Sequence, residues 1–257
     1  MSSLVRNDGK LSTFFNWFGE MAAFTGGYIR SALSPPIEAS ELIQQMVEIG
    51  VRSLPLVMVA GAAIGAVLTL HSQDILKRVG AESLIPTLIV FSMIQESGPL
   101  ITALVVAGRV GAGIGAELGS MKVTEQIEAL DVSGVDPIRY LVVTRVTALV
   151  IMIPILTLFA DTAGILTGYV MTGFNYKRFI DLGFDLVRLS DFFSNTFRTV
   201  LFGLIIGVVS CYQGLNVKGG TAGVGRAATR SVVYSTFFLI LADVVTVKLV
   251  YLIFGND

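Results

Sequence analysis

The sequence predicts an all-α integral membrane protein, on three observations. Apolar residues make up 53% of the 257 positions and charged residues only 14%, against roughly 25% charged in an ordinary soluble domain. Mean hydropathy is +0.76, so a soluble chain of this composition could not cover its surface. The apolar residues also gather into five runs, read against the roughly 20 residues a spanning helix needs.

Span one runs from about Leu54 to Leu70, span two from about Leu84 to Ala107, and span three from about Val142 to Met171. Span four covers about Thr199 to Tyr212 and span five about Val232 to Phe254. An odd number of spans puts the two termini on opposite sides. One side would hold the N-terminal segment and the loops 108–145 and 213–231, with 11 basic residues; the other holds Lys77, Arg78, Lys177, Arg178, Arg188 and Arg198. The positive-inside rule then places the N-terminus in the cytoplasm and the C-terminus outside.

Ahead of the spans, Phe14, Trp17, Phe18, Met21, Phe24 and Tyr28 recur at helical spacing. They make one aromatic face of a helix that lies in the membrane interface rather than crossing it; packing on other protein is the alternative. Ser34-Pro35-Pro36 ends this helix, and a second amphipathic stretch, Ile37 to Val51, leads into the membrane. The segment lacks the basic start and short apolar run of an export signal. The division expected is 1–50 for the N-terminal helices and 51–257 for the five-span domain.

Several chemistries are hard to build. Net charge is −1, which gives no basic footprint for nucleic acid. Cys211 is the lone cysteine and His71 the lone histidine, so no disulfide, Cys-type zinc site, other metal site or Ser-His-Asp hydrolase is expected. Gly220 to Gly225 has the frame of a phosphate-binding P-loop, but Arg226 replaces the lysine and Ala227 the metal-binding hydroxyl. No cofactor and no catalytic residue is therefore assigned.

Three carboxylates sit inside apolar runs: Glu96, Asp161 and Asp243. A charge at that depth costs several kcal/mol unless it is paired, wet or protonated. Glu96, with Gln95 beside it, falls where Gly98 and Pro99 should break the helix, and broken helices at bilayer depth line cavities. Asp161 and Asp243 could equally serve a polar pathway or bond neighbouring helices, with Arg145 or Lys248 as partners. Gly111, Gly115 and Gly119 form two overlapping GxxxG spacings, which permit close helix contact within the fold or between copies.

Between spans two and three, Val123, Ile127 and Leu130 recur at helical spacing, with Glu125, Glu128, Asp131 and Asp136 on the polar side. Gly134 should stop this short helix, and Asp136-Pro137 should start the next. An acidic helix held at the membrane face suits docking to a soluble partner.

The runs Gln95 to Gly119, Thr124 to Leu130, Val135-Asp136-Pro137 and Gly219 to Val233 resemble the MlaE/YrbE permeases, the membrane subunits of MCE-type ABC lipid transporters. The resemblance covers roughly residues 40 to 254. It implies an interfacial N-terminal helix, five spans and a cytoplasmic coupling helix. It further implies two copies of the permease, a cytoplasmic ATPase docked on residues 122–136, and an MCE-domain protein on the outer face. Phospholipid would occupy a dimer cavity lined by spans one, two and five. Some family members carry Arg-Glu where this chain has Gln95-Glu96, so no basic neighbour of Glu96 is expected at that position. The location implied is a bacterial inner membrane, in preference to a plastid inner envelope. The sequence keeps one rival from another class, a proton-coupled secondary transporter using the three carboxylates. An intramembrane lipid enzyme and a scaffold are weaker readings.

Overall fold

The computed structural model describes residues 10–33 and 38–254. Helix α1 is Lys10–Ala32, α2 is Ala39–Met46 and α3 is Leu54–Arg78. Span two is assembled from α4 (Ile85–Ser92), α5 (Gly98–Val106) and α6 (Ala112–Val123). The short α7 is Gln126–Val132, followed by α8 (Thr144–Thr172), α9 (Tyr176–Phe184), α10 (Leu189–Leu215) and α11 (Gly220–Phe254). Among the described residues there is no strand, and five helical stretches are long and apolar enough to cross a membrane.

These stretches exceed the apolar runs in the sequence: Ala39–Arg78, Glu82–Val123, Ile138–Thr172, Ser190–Leu215 and Gly220–Leu249. Three of the expected loops shrink accordingly, 213–231 to the short turn between Leu215 and Gly220. Residues 108–123 continue span two as helix, and Arg198 lies inside span four, not in a loop. By these bounds Arg198 joins Lys77 and Arg78 within helical spans on one side, and Arg52, Arg109, Lys122, Arg139, Arg145, Arg226 and Arg230 lie within them on the other.

Wide π-turns interrupt the α-helical ladder at Val47–Val51, Met93–Ser97, Ala107–Gly111 and Ile138–Val143. Such turns insert a residue without breaking the rod. Span three ends where Gly173 adopts a left-handed backbone, φ +69°, a conformation that costs glycine little. Asn175 then caps α9 by accepting from the Lys177 amide at 3.0 Å.

Helix α8 is the spine. Its apolar window is 61% buried, against 28% for span one and 22% for span five. Lipid gives no hydrophobic drive between spanning helices, so close contact rests on small residues. A Cβ added at Gly61 would lie 2.4 Å from the Ala160 carbonyl oxygen, and one at Gly65 would lie 2.2 Å from that of Gly164. On another side of α8, a Cβ at Gly203 of α10 would meet the Leu149 carbonyl at 2.7 Å.

The N-terminal helix packs on protein through the part of its aromatic face that is described. Met21 and Tyr28 are buried, and Phe24 meets the Tyr212 ring edge-on at 5.7 Å. Tyr212 donates to Glu20 at 2.7 Å. The side chains of Phe14, Trp17 and Phe18, and the segment Ser34 to Ile37, lie outside the described residues.

The packing sets up a contrast between glycines. Gly65→Val should destabilise the protein by about 1–3 kcal/mol, the usual cost of overpacking, because backbone lies opposite. Gly108→Ala, which faces open space, should unfold in detergent at the wild-type temperature.

Candidate functional site

The charged groups of three spans converge on Arg198. It is buried in α10, and its Nε donates to Asp243 Oδ1 of α11 at 2.7 Å. Its Nη2 reaches the same oxygen and lies 3.1 Å from Glu96 Oε1. Its Nη1 donates to the Gln95 carbonyl at 2.6 Å, and the Phe202 ring lies 5.7 Å from the guanidinium carbon. At about 1.5 Å of rise per residue, Arg198 stands roughly 14 Å inside its end of α10 and Asp243 roughly 17 Å inside the matching end of α11. Both residues lie inside the helical stretches apolar enough to span a membrane, Ser190–Leu215 and Gly220–Leu249.

Gly98 and Pro99 do not break the helix. Gly98 has φ −62° and ψ −54°, ordinary right-handed values, and the π-turn at Met93–Ser97 carries the chain past the proline. In an α-helix the Gln95 carbonyl would accept from the amide of residue 99, and proline has none. Arg198 takes that carbonyl instead. The proline thus presents a backbone acceptor to a buried cation. Gly98 has a separate reason: a Cβ there would lie 1.6 Å from Asp161 Oδ1. Asp161 is buried in α8, and that oxygen has no hydrogen-bond partner among the described residues.

Sequence reasoning missed Arg198 because it placed the residue in a loop. The signal was present: Phe192, Phe193 and Phe197 extend the apolar run backwards, and two carboxylates at depth require a cation. The partners considered for Asp243 are engaged elsewhere or exposed. Arg145 is buried and pairs with Glu117 at 2.8 Å, and Lys248 is exposed.

Helix α7 differs in detail from the expected amphipathic helix. Val123 ends α6, and Glu125 reverses the chain with φ +60° before α7 begins. Ile127 is buried in the main core, and Leu130 packs against it. Both therefore anchor α7 to the bundle rather than offer it to a partner. The exposed side carries Glu128, Ala129, Asp131 and Val132, the last 89% exposed. Lys122 bonds to Glu128 and holds that carboxyl below its ordinary value of 4.5. The helix ends as a Schellman turn, Val135 N–H to Leu130 O at 3.1 Å with Gly134 at φ +82°. Asp136 caps the next turn by accepting from Ile138 N–H at 3.0 Å.

The GxxxG glycines pack within the chain. A Cβ at Gly111 would meet Ser210 Oγ of α10 at 3.0 Å, one at Gly115 Ser231 Oγ of α11 at 2.2 Å, and one at Gly119 Val217 at 2.8 Å. Beside the charged cluster, an apolar groove of about 840 Å³ runs between α1, α10 and α11. Phe197 and Ala242, the chain neighbours of Arg198 and Asp243, line it, as do Met21 and Val208. Its walls are α1 and spans four and five.

A five-span helical bundle with a charged cluster buried between its spans and a short helix held at one end has the form of a multi-pass membrane protein. The family model described as Permease MlaE matches residues 42–249. The chain belongs to the MlaE permease family and is an ABC transporter permease. A probable ABC transporter permease protein of Rickettsia typhi is 39% identical over 237 residues, 91% of this chain and 92% of that protein. One from Synechocystis is 33% identical over 234 residues, covering 88% and 89%. One from Porphyra purpurea is 36% identical over 201 residues, covering 77% and 76%.

The cluster orders its own variants. Arg198→Met strands two carboxylates and should cost about 3–5 kcal/mol. Asp243→Asn, which leaves the arginine with Glu96 and the Gln95 carbonyl, should cost less. Thermal unfolding of the purified variants in one detergent checks the order.

Proposed function

We propose that this permease moves phospholipids or related lipids between membranes, powered by ATP hydrolysis on a separate ATPase subunit. The observation that carries the reading is an apolar groove with no charged side chain in its lining, together with a charged cluster on the next residues of the same two helices, after Phe197 and Ala242. A phospholipid is an amphiphile, and such a pair offers one wall to its acyl chains and one polar group to its head. Glu96 is half exposed beside the buried Arg198–Asp243 pair, so it is the member available to a lipid. Gln95 contributes its carbonyl, and Asp161 stands behind Gly98 on α8.

In this reading residues 1–50 form the interfacial segment and 51–257 the permease domain. Two copies assemble with two ATPase subunits on the cytoplasmic side and an MCE-domain protein on the outer face. The N-terminus is cytoplasmic and the C-terminus external, in a bacterial inner membrane. Helix α7 and its flanks, from Val123 to Asp136, form the coupling element, with Ile127 and Leu130 as its roots. Glu125, Glu128 and Asp131 join Val132 as the residues offered to the ATPase. The chain itself carries no catalytic step.

Co-purification and lipid transfer test this together. The permease and its ATPase, reconstituted in vesicles, should transfer fluorescent phospholipid only when ATP is supplied. Val132→Glu should weaken ATPase binding by on the order of tenfold or more, as at a buried interface anchor, without lowering thermal stability. ATP-independent transfer would contradict the energy source, and undiminished ATPase binding would remove α7 as the docking element.

A further inference from the structure

At the α7 end of the bundle, the turn between α10 and α11 encloses a pocket of about 220 Å³. Lys218, Arg226 and Arg230 line it, and no carboxylate does. Gln213 also lines it; this residue is 8% exposed, and its amide nitrogen, itself shut off from solvent, has no hydrogen-bond partner among the described residues. A buried donor left unmade costs about 1–3 kcal/mol, so a donor held unpaired beside three cations calls for an acceptor.

The backbone is shaped to keep this space. Gly219 and Gly220 both take left-handed values, φ +92° and +64°, which turn the chain sharply into α11. A Cβ at Gly223 would lie 2.4 Å from the Lys218 carbonyl oxygen, so the turn closes tightly over the first turn of α11. Arg226 donates to that same carbonyl at 3.3 Å and ties the helix to the turn. The first amides of α11, a 35-residue helix, add the positive end of its dipole.

We infer that this pocket binds a phosphate-type anion, held by Lys218, Arg226 and Arg230 with the Gln213 amide as the buried donor. Three cationic side chains line one small space with no carboxylate among them, a donor set that suits a tetrahedral oxyanion. The Arg226 and Ala227 substitutions that spoil the P-loop frame do not bear on it, since no nucleotide or metal is required. The pocket stands at the turn that joins two spans, Ser190–Leu215 and Gly220–Leu249, and acidic lipid headgroups are one source of such an anion at a membrane surface. The anion is the headgroup of an acidic lipid or free phosphate, and the two sources can be separated.

The test follows acetylation of Lys218 in the full-length protein by mass spectrometry, with Lys77 at the opposite end as internal reference. Three bilayer discs are compared: phosphatidylcholine alone, phosphatidylcholine with phosphatidylglycerol, and phosphatidylcholine with added inorganic phosphate. Occupancy should slow Lys218 by on the order of tenfold relative to Lys77, the scale of one hydrogen bond to a charged group. Slowing with phosphatidylglycerol alone assigns the lipid headgroup; slowing with inorganic phosphate assigns the free anion. Arg226→Gln with Arg230→Gln should abolish the effect, and Gln213→Leu should weaken it with every cation in place. Equal rates in the three discs for the wild type would overturn the site without recourse to any variant. Undiminished protection in a folded Gln213→Leu protein would reduce it to diffuse surface charge and overturn it as well.

Discussion

A guanidinium buried at bilayer depth has to be neutralised and hydrogen-bonded within the protein, and Arg198 meets that demand by drawing on two other spans. Asp243 comes from α11, and Glu96 and the Gln95 carbonyl come from span two. The requirement reaches into the backbone: Pro99 frees the carbonyl and the π-turn before it keeps the helix running. Helices α10 and α11 and span two are thereby held in one register. Truncating such a residue is costly because its partners stay behind as unpaired charges, not because the intact pair adds much stability.

The remaining contacts rely on size rather than charge. Helix α8 meets α3 through Gly61 and Gly65 and meets α10 through Gly203. The small residues of α6 do the same against α10 and α11. The outer surfaces of span one and span five stay apolar and exposed, as a lipid-facing or copy-facing helix requires. The charged cluster and the apolar groove are therefore set between elements whose relative positions are fixed by packing on both sides.

Much of the fold was legible. Five apolar runs, the stop at Gly134 and the cap at Asp136 follow from composition and local chemistry, and each is found. What hydropathy could not give was the length of the helices, because charged residues that are paired in three dimensions look like loop in one. Arg198 was misplaced for that reason, and with it the partner of Asp243 and Glu96. Gly98-Pro99 misled in the other direction: a π-turn absorbs the proline, and its amino acid pattern resembles a break. For α7 the periodicity marked the right apolar residues, yet Ile127 and Leu130 face the bundle. Periodicity locates a face without saying whether the bundle or a partner covers it.

The claim at the centre of this account is that the chain works as the membrane half of an ATP-driven lipid transporter. Native mass spectrometry of the tagged protein, extracted in mild detergent from its own membrane, addresses it most directly. The proposed function predicts a complex of two copies of this chain, two copies of a P-loop ATPase and bound phospholipid. A chain released alone or paired only with itself, under conditions that keep other ABC complexes whole, would contradict it.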